Sequence, residues 1–423
     1  MDATSVVVSI VTDVFAHSLA GHPYETCLAV QKAAGLAGCN HAAAVPVSCP
    51  IRPLPDGWSA CLHYTLLPKD RIGVLRDAIS VLPLAFDIVA YMQSVRARYR
   101  AQPIVVYYEW FKPPTLAAFM LAMLFTIITE MVSATEATSH QTTVWLCVKG
   151  RIDLAPGSGL YRFIIRLLRA GLGDARLRVH NDNAHAIPAV STWLGMPVYP
   201  IPIPHTAETH TGKLSHAMEA ARHDGQVGST ITKVASSEDS PSVVVCWWPG
   251  SPSAGKGWDE VRRLVASTAE VALAPWAGQI VIAAAEAAGL VQVHGGCHII
   301  QIADELLHDD YRAALFSCDV VLLPYHPVPY KHRTSGIFVE AVVAGRLPVA
   351  SADTWLADEL RAYHLDELVI DWSCHDLPME IMRLVRNVQV RRNLEHMTEA
   401  YRRYHSPAGL AMIFKQLHMD TLF

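Results

Sequence analysis

The stretch PYKHRTSGIFVEAVVAGRLPVA (residues 329–350), with the CDVVLLPY that leads into it (318–325), decides how the chain is organised. CDVVLLPY is a continuous apolar run rich in β-branched residues, the pattern of a strand covered on both faces. After a loop, Ser335-Gly336 opens a helical run over 337–344 whose sole charged residue is Glu340. Gly345 stops that run as a glycine after a helix end does, and LPVA is the next strand. This is one βαβ unit, with its helix starting at the carboxyl edge of a parallel sheet. The first N–H groups of such a helix lack partners and carry partial positive charge, which suits phosphate. Thr334 or Ser335 can cap it, and Gly336 removes a side chain that would block a ligand. Lys331 and Arg333 stand just outside and can add charge-assisted contacts. Glu340 lies one turn inside, on the same face as Gly336. A carboxylate there is poorly suited to phosphate but can accept from both hydroxyls of a ribose. The alternative is a solvated helix residue, for which the apolar neighbours on either side leave little room.

The same alternation of strand and helix runs through the rest of the chain. Strands are predicted at 6–11, 104–108, 144–148, 243–247, 280–283, 320–323 and 347–350, with helices at 24–37, 260–271 and 311–316. A chain of 423 residues, 51% hydrophobic and 17% charged, has material for two or three domains and is not disordered. PVYPIPIPHT (197–206) pre-extends the backbone through its prolines, and a polar, weakly patterned stretch follows it. Two Rossmann-like halves are therefore expected, 1–205 and 206–404, with 405–423 a short helix that docks on either. A net charge of -5 excludes an overall nucleic-acid signature. Nine cysteines without a C-x-x-C pair point to a reducing, cytoplasmic compartment. The first residues, MDATSVVVSIVTDVF, read as a strand rather than a signal peptide. PPTLAAFMLAMLFTIIT (113–129) is uncharged but shorter than the ~20 residues a spanning helix needs, so a buried helix is expected.

A second loop joins the first. VVVCWWPGSPSAGKGWDEVRRLV (243–265) is strand, Gly/Pro/Ser loop and helix. Lys256 between Gly255 and Gly257 is a point charge that suits phosphate, or an incidental loop lysine. The spacing is not that of a Walker A loop, because Gly257 follows the lysine. Together the two stretches resemble the nucleotide-sugar half of the retaining GT-B glycosyltransferases, specifically glycosyltransferase family 4. SGIFVEAVVAGRLPVA follows that family's downstream E-x7-E signature, and GSPSAGKG follows its upstream G-R-x-x-x-x-K-G at the glycine and Lys-Gly positions. The glycine turn and first helix, LAGHPYETCLAVQKAAGLAG (19–38), are similar as well.

The resemblance implies a GT-B architecture of two Rossmann-like domains facing an interdomain cleft, and metal-independent sugar transfer with retention from a nucleotide diphosphate donor. It implies that Glu340 binds the donor ribose, that Lys256 binds the diphosphate, and that backbone N–H groups around Ser335, Gly336 and Ile337 bind phosphate. No cofactor or metal is implied, and the chain contains no D-x-D triplet. The sequence departs from the pattern at His332, where the family has its first glutamate, and at Ser251, where it has an arginine. Arg333 is the candidate for the lost cation. His332 can hydrogen-bond a sugar hydroxyl or be a loop histidine. These two losses also allow a catalytically silent nucleotide-sugar-binding subunit. A dinucleotide-dependent oxidoreductase would need a G-x-G-x-x-G after the first strand, and FAHSLAGHPYE does not supply it.

The first half adds further candidates. Glu109 follows the strand PIVVYY at a carboxyl edge, where it can orient an acceptor hydroxyl or sugar, or pair with Lys112. Gly21 would let a donor phosphate or acceptor approach closely, and His17 and His22 can contact an acceptor. GLYRFIIRLLRAGLG (Gly159–Gly173) sets Arg162, Arg166 and Arg169 along one side of an amphipathic helix. That pattern fits either a peripheral contact with anionic lipid, suited to a lipid-linked rather than free glycan acceptor, or a solvated face.

Overall fold

The computed structural model describes residues 5–12, 22–63, 79–100, 102–109, 111–133, 142–205, 218, 220, 243–250, 252–270, 280–291, 297–304, 306, 308–374 and 376–420. The chain divides into two compact units: Met1–Thr206 with Tyr404–Phe423, and Ala207–Arg403.

The first unit is built on β1 (Val6–Ile10), α1 (His22–Leu36), β2 (Asn40–Pro46), β3 (Trp58–Leu62), α2 (Val81–Arg98) and β4 (Ile104–Tyr108). It continues through α3 (Pro113–Ser133), β5 (Thr142–Val148), α4 (Ser158–Leu172), β6 (Leu177–Asn181), α5 (Ile187–Leu194) and β7 (Val198–Pro200). All pairings are parallel, in the order β3-β2-β1-β4-β5-β6-β7. Val6, Val8 and Ile10 point to one face of the sheet and pack under α2–α5, while Val7, Tyr107 and Trp145 point to the other. Both faces are covered, which is why these strands read as unbroken apolar runs rather than alternating ones. Part of PVYPIPIPHT, expected as a linker only, is the edge strand β7: Val198 pairs with Val179 and Pro200 with Asn181. An edge is where a strand tolerates proline.

The second unit is built on β8 (Val244–Trp248), α6 (Trp258–Glu270), β9 (Ile280–Ala285), β10 (His298–Ile302), α7 (His308–Ser317), β11 (Val320–Leu323) and α8 (Pro327–Tyr330). Then come α9 (Gly336–Val343), β12 (Leu347–Ser351), α10 (Trp355–Ala362), β13 (Val369–Ile370), α11 (Leu377–Arg386) and α12 (Val388–Tyr404). Its sheet is also parallel, ordered β10-β9-β8-β11-β12-β13. The order reverses at β8 and β11, so the loops leaving these two strands emerge side by side, where doubly wound sheets bind ligands.

The helix at the C-terminal end of the described chain, α13 (Pro407–Asp420), packs on the first unit. Leu410, Ala411 and Phe414 lie against Val30, Ala33 and Ala34 of α1 and against Trp145, whose ring centroid is 5.2 Å from that of Phe414. His405 leads into this helix. Burial, with His205 beside it, pulls its imidazole down to about 3. It therefore stays neutral, and Nδ1 accepts from the Ile203 N–H at 3.0 Å. Phe414→Ala should cost about 3 kcal/mol, the usual toll for emptying an aromatic site in a core. Hydrogen exchange checks it: amides of β1 and β5 should lose protection while those of β8 and β11 keep theirs.

Candidate functional site

In the second unit the two loops singled out in the sequence come together. The β8–α6 loop carries Gly250, Lys256 and Gly257, and the β11–α9 connection carries His326 to Ser335. The His326 N–H donates to Gly255 O at 3.0 Å. Gly257 sits at φ +75°, and a Cβ placed there would lie 1.9 Å from the carbonyl oxygen of Pro324, so the loops approach as closely as backbone allows. Gly250 matters in the same way: a Cβ there would meet the Lys256 ammonium at 2.6 Å. The lysine folds back over the space its glycine leaves. Burial, and then the charge of Arg333, push Lys256 below the ordinary lysine value. Arg333 lies over the ring of Tyr330 at 5.4 Å, and that ring packs 4.2 Å from Tyr325. Ser251 lies outside the described residues.

Ser335 is the N-cap of α9, its hydroxyl accepting from the Phe338 N–H at 3.2 Å. Thr334 and His332 are half-buried in the loop before it, and Lys331 and Arg333 are exposed. Ile337, Phe338, Val339, Ala341, Val342 and Val343 are all buried, leaving Glu340 as the half-buried polar group of the helix. The far end of α9 is held by α12: Thr398 Oγ1 donates to Val342 O and Arg402 Nε to Val343 O, each at 2.8 Å. A cation at a helix C-terminus also favours the helix dipole.

Glu340 has a partner that the sequence did not reveal. The Tyr311 hydroxyl, from α7, donates to Glu340 Oε2. Burial first, and the Glu340 charge second, raise that phenol far above its ordinary value, so it acts as a neutral donor. Tyr311 is itself fixed edge-on against Trp247, with ring centroids 5.2 Å apart.

In the first unit a charged cluster sits at the carboxyl ends of β4, β5 and β6. Glu109 is 6% exposed, which for a carboxylate requires partners. Its Oε1 is held by Lys149 and its Oε2 accepts from the Tyr107 hydroxyl at 2.7 Å. The partner is thus Lys149 on the adjacent strand end rather than Lys112. Lys149 also reaches Asp182 at 3.3 Å, and Asp182 accepts from the Gly150 N–H at 3.0 Å. Burial pulls the Lys149 ammonium down, but Glu109 and Asp182 together hold it above its ordinary value. A cavity of about 270 Å³ opens beside the cluster, walled by Phe111, Tyr161 and Ile152 with Lys112, Lys149 and Arg151. His22 begins α1, and Gly21 and His17 lie outside the described residues.

No protein-family model matches the chain, and no curated protein sequence does. Solved structures match over its whole length. Trehalose-6-phosphate synthase OtsA is similar with a TM-score of 0.60 at 12% identity, covering 98% of this chain and 99% of that one. WaaG, a glycosyltransferase involved in lipopolysaccharide biosynthesis, gives 0.52 at 12% identity, over 96% and 99%. HepE of Anabaena, in complex with UDP-glucose, gives 0.53 at 12% identity, over 99% of both chains. At such identities the likeness is one of fold. The chain has a GT-B fold with two Rossmann-like units, as its motifs led one to expect.

Two stability predictions follow from this geometry. Gly257→Ala forces a Cβ into Pro324 O and should lower the unfolding midpoint of the second unit by the equivalent of ~2 kcal/mol or more. Lys149→Met should cost about 3–5 kcal/mol near neutral pH, because two buried carboxylates lose their cation. In wild type the raised Lys149 pKa gives stability that is present below its ordinary value of 10.5 and is lost only above it. In the variant that alkaline loss should disappear, because no ammonium remains to titrate. Thermal melts across pH check both outcomes.

Proposed function

We propose that this chain is a metal-independent glycosyltransferase that moves a sugar from a nucleotide diphosphate donor to an acceptor hydroxyl with retention. One observation carries the reading: the loop that carries Lys256 packs against the loop that carries Arg333 and leads into the N-terminus of α9, close enough for one cation to act on the other, and Glu340 lies one turn inside that helix. Like charges are brought together at a cost that an anion offsets. The Ser335, Gly336 and Ile337 N–H groups would bind phosphate. Glu340, steadied by Tyr311, would accept the ribose hydroxyls. Thr334 would line the same pocket. The structures of OtsA, WaaG and HepE support the reading by sharing the fold, and HepE by having UDP-glucose bound.

In the transfer, the bond between the anomeric carbon and the diphosphate oxygen breaks, and the acceptor oxygen bonds to that carbon on the same face. The acceptor proton passes to the departing phosphate oxygen, so a nucleoside diphosphate and a glycoside leave. Lys256, Arg333 and the helix end stabilise the charge that builds on the diphosphate. His332, at the place of the usual acid, would donate to a sugar hydroxyl. Glu109 acts with Lys149 as one unit that orients the acceptor, with His17 and His22 as further acceptor contacts and Gly21 as a donor contact. The acceptor is a glycan or lipid-linked molecule, and the enzyme works in the cytoplasm or at its membrane face.

A thermal-shift panel of nucleoside diphosphates and their sugars tests this, with UDP and UDP-glucose first. A ligand at about a hundred times its Kd adds roughly 2.7 kcal/mol, so the expected shift is several degrees. Glu340→Ala should lose it, and Tyr311→Phe should weaken binding about tenfold, the worth of one hydrogen bond to a charged group. No shift with any nucleoside diphosphate, or an undiminished one in Glu340→Ala, sinks the donor assignment. Raising the pH should weaken diphosphate binding before an ordinary lysine would titrate, while Lys256→Arg keeps it.

A further inference from the structure

The outer surface of the first unit's α2–α4 layer has no described partner. Helix α3 packs between α2 and α4. Its inward face, including Leu116, Phe119 and Met123, is fully buried. Leu121, Phe125 and Ile128 form a second stripe facing outward, with Ile128 58% exposed. Helix α4 repeats this arrangement. Tyr161, Ile164, Ile165 and Leu168 face the sheet, while Leu160, Phe163 and Leu167 form an outward stripe with Phe163 59% exposed. Helix α2 adds Leu82 and Phe86, the latter 71% exposed. Monomeric proteins seldom leave adjoining apolar stripes of this kind uncovered.

The charges around the stripes say what covers them. Residues 113–129 of α3 contain no charged side chain. Among the described residues the carboxylates of this layer are already engaged: Asp87 by His63, Glu130 by Arg96, Asp153 by Arg151 and Asp174 by Arg169. Lys112, Arg162 and Arg166 have no carboxylate partner among the described residues. At 100° per residue, Arg162 and Arg166 lie on the flank of α4 away from α3. Gly171, on the other flank, touches Leu124 of α3. The surface is therefore an apolar centre with a cationic rim. Long arginine side chains can keep their heads among phosphates while the apolar centre enters the acyl boundary. A second copy of this chain would set the same cations against that rim. The Pro113–Glu130 window is long and apolar enough to span a bilayer, but half of it is buried in the unit's core, so in this fold the helix is set to lie on a membrane rather than to cross it.

We propose that this three-helix face docks the protein on an anionic phospholipid surface, lying on the membrane without spanning it. The inference stands apart from the donor reading, since it uses none of the residues assigned there.

The test is co-sedimentation of the full chain with phosphatidylcholine vesicles, with and without about one-third phosphatidylglycerol. Wild type should partition at least tenfold better onto the anionic vesicles, and salt should reduce that preference. Phe125→Ser with Phe163→Ser should cut partitioning tenfold or more. Arg162→Gln with Arg166→Gln should erase the preference for anionic lipid. Both pairs should keep the wild-type circular dichroism, and any thermal shift with nucleoside diphosphate should be unchanged. Failure of wild type to bind anionic vesicles at low salt overturns the proposal, as does undiminished binding of either folded variant. A wild-type dimer that Phe125→Ser with Phe163→Ser dissolves, without vesicle binding, assigns the face to a second copy instead. If one pair fails to fold, the other decides.

Discussion

The second unit depends on one close approach, between the backbone of Gly257 and the carbonyl of Pro324. Strands β8 and β11 are neighbours, and a side chain at 257 would push their outgoing loops apart. With hydrogen there, the His326 N–H reaches Gly255 and the two loops become one surface. That contact joins the loop carrying Lys256 to the loop carrying Arg333. The electrostatic character of the site thus depends on a steric fact at the glycine next to its lysine.

Helix α9 supplies the other half of the arrangement, and its rigidity has identifiable sources. Ser335 closes its first turn, Thr398 and Arg402 satisfy its last carbonyls, and Phe338 is wedged edge-on against Trp355 at 5.5 Å. A helix end fixed in this way would not need to reorganise if an anion bound there, which is the condition under which fixed dipoles are most effective. The first unit shows the opposite design. Its buried charges are paired within the protein itself, with Lys149 held between two carboxylates.

The sequence disclosed these features unevenly, for physical reasons. Strands β1, β4, β5, β8, β9, β11 and β12 were legible as continuous apolar runs, with β-branched residues prominent in β1, β4 and β5. Strand β2 reads NHAAAVP, and alanine carries little strand signal. Strands β7 and β13 are too short for a pattern. Glu340 was legible because a lone carboxylate in an apolar helix is conspicuous. Tyr311 was not, since it lies 29 positions away in sequence and only the packing of α7 brings it close. Lys149 was hidden likewise, 40 positions from Glu109, and the nearer Lys112 drew attention instead.

The docking of α13 on the first unit bears on how the protein is made. Residues 207–403 are translated between the two parts of that unit. At roughly 5–20 residues per second, the apolar surface formed by Ala33, Ala34 and Trp145 waits on the order of ten seconds or more for Phe414 to emerge. The later-synthesised unit can close first on the ribosome, while the earlier one remains open to chaperones and to mispairing. Slow codons in 207–403 would lengthen that exposure, so synonymous changes there can alter yield without touching a single contact in the folded protein.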